Sequence, residues 1–115
     1  MVKRHHQLKR EVIAGLKGGK GCVEVTEFFE TEDFLGKGRL YGMSTIAVGD
    51  SIGLHKHEGD QEAYFILEGR ALYFDGEKEY FLEPGDLSIC RDGEWHSIES
   101  VGDVPLKYIM LILYS

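Results

Sequence analysis

From Cys22 onward the chain is written in short runs rich in Val, Ile, Leu, Tyr and Phe, each closed by Gly, Asp or Pro. Runs of this kind read as strands, and they predict strands at residues 22–29, 39–48, 52–57, 62–67, 70–74, 78–82, 86–91, 95–99 and 106–114. Asp75-Gly76 lies between two β-prone runs and predicts a hairpin closed by a type I′ turn. Pro84-Gly85-Asp86 predicts a second turn, with Pro fixing φ and Gly free to take the left-handed region. Upstream the period changes: Leu8, Val12, Ile13 and Leu16 recur at helical spacing, which predicts a short amphipathic N-terminal helix over residues 7–16. Gly18, Gly19 and Gly21 stop it.

A helical reading of the middle of the chain fails on glycine. Gly42, Gly49, Gly53, Gly59, Gly69, Gly76 and Gly85 would each cost about 1 kcal/mol in a helix interior. The fold class is therefore all-β, and many short strands in a small domain pack as a sandwich or close as a barrel. Periodicity alone leaves both open. With 115 residues one core suffices, and no linker, repeat or low-complexity stretch divides it. We expect a single domain over residues 1–115.

Thirteen Lys and Arg against twenty Asp and Glu give a net charge of -7, so the chain's field repels nucleic-acid backbones and anionic membranes. The run 108–114 is apolar but far shorter than the roughly 20 residues of a spanning helix, and no signal-peptide core follows Lys3, Arg4, Lys9 and Arg10. Two cysteines, Cys22 and Cys90, are too few for a disulfide scaffold and read as reduced thiols. These features lead us to expect a cytoplasmic protein whose partners include neither nucleic acid nor membrane.

Candidate chemistry changes the picture at residues 49–69, GDSIGLHKHEGDQEAYFILEG. On a strand, His55 and His57 project from the same face while Lys56 points away. The polar turn 58–61 reverses the chain, so that Glu62 comes back beside them. Alternation then puts Tyr64 and Ile66 on the face of Glu62, and Ala63, Phe65 and Leu67 on the other. His96, after the turn Asp92-Gly93-Glu94, opens a later strand from which it can enter the same cavity. Three imidazoles and one carboxylate suit Mn, Fe, Ni, Co, Cu or Zn rather than Ca or Mg. On a metal that takes about six ligands they leave positions open for substrate. A lone His on a strand is usually a polar surface residue, as we read His5 and His6; the joint pattern is what carries weight.

Gly49, His55, His57, Glu62 and Gly69 fall at the spacing G-x5-H-x-H-x4-E-x6-G, and this resembles the first signature of the cupin superfamily without departure. Gly85, Gly93 and His96 resemble the second, with Arg91 where the family usually has Pro and Ser100 where it often has Asn. The resemblance covers about residues 39–114. It implies a conical double-stranded β-helix, the cupin or jelly-roll barrel of two antiparallel sheets, with residues 39–115 as barrel core and 1–38 as helix and first strand. It also implies that His55, His57, Glu62 and His96 hold one divalent transition-metal ion (Mn, Fe, Ni or Zn). In similar small cupins the early strand crosses to a partner subunit, so the resemblance implies a homodimer.

As to function, the resemblance points to small single-domain cupins of the oxalate decarboxylase, oxidase and dioxygenase kind, acting on a small organic acid. The alternatives are a non-catalytic sugar- or acid-binding module and a metal-dependent sugar isomerase. A decarboxylase needs a proton donor, for which Glu58 and Asp60 are candidates. Tyr64 by parity and Arg91 by its place at the barrel mouth are candidate substrate-binding residues. Cys90 reads as a small buried hydrophobe and Trp95, facing opposite to His96, as a packing residue.

Overall fold

The computed structural model describes residues 1–115. Ten strands form in the order β1 (Lys9–Ala14), β2 (Cys22–Glu27), β3 (Gly38–Ile46), β4 (Ser51–Lys56), β5 (Asp60–Glu68), β6 (Ala71–Phe74), β7 (Glu79–Leu82), β8 (Leu87–Cys90), β9 (Trp95–Ser100) and β10 (Leu106–Tyr114). Every pairing is antiparallel. A six-stranded sheet runs β1-β2-β3-β10-β5-β8 and faces a four-stranded sheet β4-β9-β6-β7. Period-two alternation decides which residues meet between them. In β5, Glu62, Tyr64 and Ile66 are buried while Phe65 and Leu67 stay exposed, as expected from their parity. Val23, Ile46, Ile52, Ile66, Ile98 and Leu106 join Tyr64, Tyr73 and Tyr108 in one core between the sheets.

The N-terminal helix is corrected. Only His5–Gln7 makes a short 3-10 turn, and Lys9–Ala14 is an edge strand paired from Lys9↔Glu27 to Ala14↔Cys22. A ten-residue helix is marginal by itself, and Val12 and Ile13 are β-branched residues that favour a pleated surface. As a strand the segment fills the open edge of β2 and lays Ile13 against the core, with Val12 outward. β2 is thus flanked within its own chain by β1 and β3.

The hairpin β6–β7 forms as expected, but its turn sits one residue later. Asp75 N donates to Lys78 O, so the two central residues are Gly76 and Glu77, with positive φ at Gly76 (96°) and not at Glu77. That is the type II′ pattern rather than I′. The Asp75 carboxylate accepts from the Glu77 and Lys78 amides, which fixes the turn. At Pro84-Gly85, Asp86 N closes on Glu83 O.

One irregularity positions the site. Between β4 and β9 the register runs Ile52↔Ile98 and then His55↔His96, so Gly53 and Leu54 stand opposite Ser97 alone. This β-bulge resets the alternation. Ile52 is buried and Leu54 exposed, and the extra residue turns His55 inward; without it His55 would face out. Gly53 is required there because a Cβ would collide with the carbonyl oxygen of Lys17, in the short 3-10 turn Leu16–Gly18 that straps across β4.

Candidate metal centre

His55 lies on β4, His57 one residue past its end, Glu62 on β5 and His96 on β9. The loop between β4 and β5 is pinned by His57 N to Glu94 O, Gly93 N to His57 O and Gly59 N to Asp92 Oδ1. These bonds bring the turn before His96 against the turn before Glu62, so the four side chains converge from three strands.

His55 Nδ1 is 2.8 Å from the Gly53 carbonyl oxygen and His57 Nδ1 is 2.7 Å from Asp60 Oδ1. A carbonyl and an ionised carboxylate only accept, so both rings carry their proton on Nδ1 and present Nε2 as a bare lone pair. His96 Nδ1 is 2.9 Å from the Tyr73 hydroxyl, which accepts in the same tautomer. Nε2 of His96 lies 3.0 Å from Nε2 of His57 and 3.0 Å from Nε2 of His55. Glu62 Oε1 is 3.2 Å from His57 Nε2 and 3.3 Å from His96 Nε2. Ligands about 2.1 Å from a common centre and at right angles stand about 3.0 Å apart, so these edges fit a cation at their focus. Without a proton or cation between them, the lone pairs would repel. The four donor atoms lie within 4.8 Å of one another and form a metal-site-like cluster that is buried at His57, Glu62 and His96.

Electrostatics follow from this packing. Burial is the largest influence on the Glu62 carboxyl and pushes it up, yet the hydrogen bonds and charge of His57 and His96 together outweigh it and hold the group at about 2. Glu62 raises His57, against burial and with help from Asp60. Burial lowers His55, opposed by its bond to Gly53. The Tyr64 hydroxyl is pushed well up by burial, with the Glu62 charge adding to it, so it stays protonated. Its ring stacks on His96 with centroids 5.0 Å apart and 17° between planes.

Tyr64 and three of the four cluster residues, His55, His57 and Glu62, line a cavity of about 370 Å³ that opens between β1, β3 and β4. Arg91 does not join them. Its side chain is exposed, and its amide donates to Glu94 Oε1 at 2.7 Å, closing the turn at a position where proline could not. Ser100 is fully buried and holds Gly49 and Asp50 through its backbone, while its hydroxyl has no hydrogen-bond partner. Cys90 is free and buried, its thiol pushed up to about 12 by burial, and stands outside the cluster; Cys22 is free and exposed. Trp95 is about half exposed on the outer face.

Arg39 and Tyr73 escape a reading of the sequence, and Asp60, expected as a candidate proton donor, is instead the group that holds His57. Asp60, a turn residue by pattern, is almost wholly buried; it holds His57 with one oxygen and accepts from Arg39 Nε at 2.9 Å with the other. Tyr73 holds His96. Spacing gives Asp60 away only as the third residue after His57, and nothing in the sequence links Arg39 or Tyr73 to the cluster.

A two-sheet antiparallel barrel with a His-x-His, Glu and His cluster inside its open end defines a metal-site class of β-barrel. The chain belongs to the cupins: the family described as Cupin domain matches residues 42–112. It is 37% identical over 113 residues to an oxalate-binding protein of Thermotoga maritima, covering 98% of this chain and 93% of that one. A crystal structure of a predicted oxalate decarboxylase from Thermotoga maritima superposes with a TM-score of 0.94 at 36% identity, covering 100% of both chains. The polyketide cyclase RemF of Streptomyces resistomycificus shares the fold, with a TM-score of 0.78 at 18% identity over 98% of this chain and 80% of that one.

Proposed function

We propose that His55, His57, Glu62 and His96 hold one divalent transition-metal ion, and that a small organic acid binds this ion through its carboxylate. The observation that carries the reading is the convergence of three imidazole nitrogens and one carboxylate oxygen on one point, with the tautomers of His55 and His57 fixed by acceptors behind them. The choice of acid rests on the similarity to the oxalate-binding protein. The donor set suits Mn, Fe, Ni or Zn.

Once bound, such an ion supplies a Lewis-acid centre on which a carboxylate can sit and developing negative charge is stabilised. The chain's own residues do the rest. Glu62 lowers the net charge of the centre, Asp60 orients His57, and the Tyr64 hydroxyl, beside Glu62 in the cavity, would donate to a substrate oxygen. Turnover of the oxalate decarboxylase, oxidase or dioxygenase kind is the first reading. A non-catalytic acid-binding module is the second, and the two candidate proton donors favour it: both oxygens of Asp60 are engaged, and Glu58 is exposed and paired with Lys56. A cytoplasmic homodimer completes the proposal. Phe65, Leu67, Leu87 and Ile89 are exposed together on the outer face of the six-stranded sheet, and a second copy of the chain would cover them.

Elemental analysis of the purified protein tests the metal, with about one ion per chain expected and none from His57→Ala. Carbon dioxide release or dioxygen uptake with a panel of small acids separates the two readings: turnover supports the enzyme, and saturable binding without turnover under Mn, Fe, Ni and Zn supports the module.

A further inference from the structure

The cavity beside the cluster is larger than the smallest acids need. A space of about 150 Å³ holds benzene, which has as many heavy atoms as oxalate, whereas this cavity and its mouth enclose about 370 Å³. Beyond the cluster, its walls are apolar: Val25, Ile52, Met110 and Ile112 are buried, and Leu16 and Leu40 pack partly against the core. Two hydroxyls join them: Tyr64 beside the cluster, and Ser44, which donates to Met110 Sδ at 3.1 Å. Charged groups also line the cavity: Arg39 is engaged by Asp60, Lys56 by Glu58 and Glu27 by Lys9, while Lys17 and Glu11 are exposed without an ion-pair partner.

This lining selects a ligand. A sugar among the aliphatic side chains would leave hydroxyls unpaired, at about 1–3 kcal/mol for each buried group. A second carboxylate in the interior would lie against aliphatic walls, because the cations of the lining, Lys17, Arg39 and Lys56, are all exposed side chains. We propose that the cavity takes a monocarboxylic acid with an apolar tail of several carbons, its carboxylate at the cluster and its tail between β2, β3, β4 and β10. The inference rests on the metal-and-acid reading above and extends it from the head of the ligand to its body.

The test is calorimetric titration of the zinc-loaded protein with oxalate, pyruvate, 2-oxobutanoate, 2-oxohexanoate and 2-oxoglutarate. Affinity should rise about fourfold for each methylene added after pyruvate, and 2-oxoglutarate should gain nothing over 2-oxobutanoate. A flat or falling series while oxalate still binds overturns the inference and leaves the metal-and-acid reading standing, as does tightest binding of 2-oxoglutarate. If none of the acids binds zinc-loaded protein, both fall. Leu40→Phe, which fills the wall, should erase the gain with chain length while zinc content is unchanged and pyruvate affinity stays within about twofold. Full retention of the gain in that variant would place the tail elsewhere and overturn the assignment.

Discussion

At the scale of single residues, the site is held as much by the groups behind the imidazoles as by the imidazoles themselves. Asp60 fixes the His57 tautomer and makes the ring a better donor, and its other oxygen is held by Arg39. Replacing Asp60 with Asn keeps the shape but not the charge, and should weaken metal binding about 10–100-fold in competition with a chelator, with thermal stability of the barrel little changed. His57→Ala should lose the metal and remain folded, because the apolar core between the sheets does not include it; circular dichroism and elemental analysis read the two effects separately. The pH response of the metal-free protein follows from opposite shifts. Glu62 is held below its ordinary value of 4.5, at about 2, so its stabilisation is present above 4.5 and lost as pH falls toward 2. His57 is raised above 6.5, so its contribution is present below 6.5 and lost as pH climbs through the higher folded value. His55 is lowered from 6.5 by burial, so its contribution is full above 6.5 and lost as pH falls below it, and the melting temperature of metal-free protein should peak near about 6.5 and decline on either side. In metal-loaded protein His57 is already neutral, so the alkaline fall should vanish.

At the scale of elements, the bulge in β4 decides whether a cluster exists at all. A strand shifted by one residue turns all its side chains to the other face, and the extra residue at Gly53–Leu54 is what aims His55 at His96. Gly53→Ala drives a methyl group into the Lys17 carbonyl and should cost roughly 1–3 kcal/mol in denaturant unfolding, with metal affinity falling because His55 is displaced. This device is invisible to pattern reading. His55 and His57 share a parity in the sequence, so both point inward on any regular strand, but Ile52 must also point inward and only a bulge reconciles the two. Strands such as β5, β9 and β10 are legible because buried and exposed residues alternate without interruption. β1 is not: Leu8, Val12, Ile13 and Leu16 satisfy a helical period locally, and what overrides it is the vacant edge of β2, a tertiary fact. The turn at Gly76 slips by one residue because Asp75-Gly76 fits either the central pair or the first two places. The four cluster residues were legible for a different reason, since His55, His57 and Glu62 fall at a fixed spacing between Gly49 and Gly69 and His96 follows a turn glycine, whereas Arg39 and Asp60 stand 21 residues apart and meet only through the packing of the sheet.

At the scale of the whole molecule, two antiparallel sheets close on an apolar core at one end and leave a polar cluster in a roomy cavity at the other. Exposed apolar residues on the outer face of β5 and β8 are best buried by self-association, so sedimentation should give about twice the 13.0 kDa chain mass, and Phe65→Lys with Ile89→Lys should return it to that of a single chain with the metal retained. The cluster itself is most directly tested by zinc K-edge X-ray absorption on protein loaded with one equivalent of zinc. Three imidazole nitrogens and carboxylate oxygen at about 2.0–2.2 Å are the predicted first shell. A sulfur scatterer at about 2.3 Å, or a shell with a single imidazole or none, would contradict it.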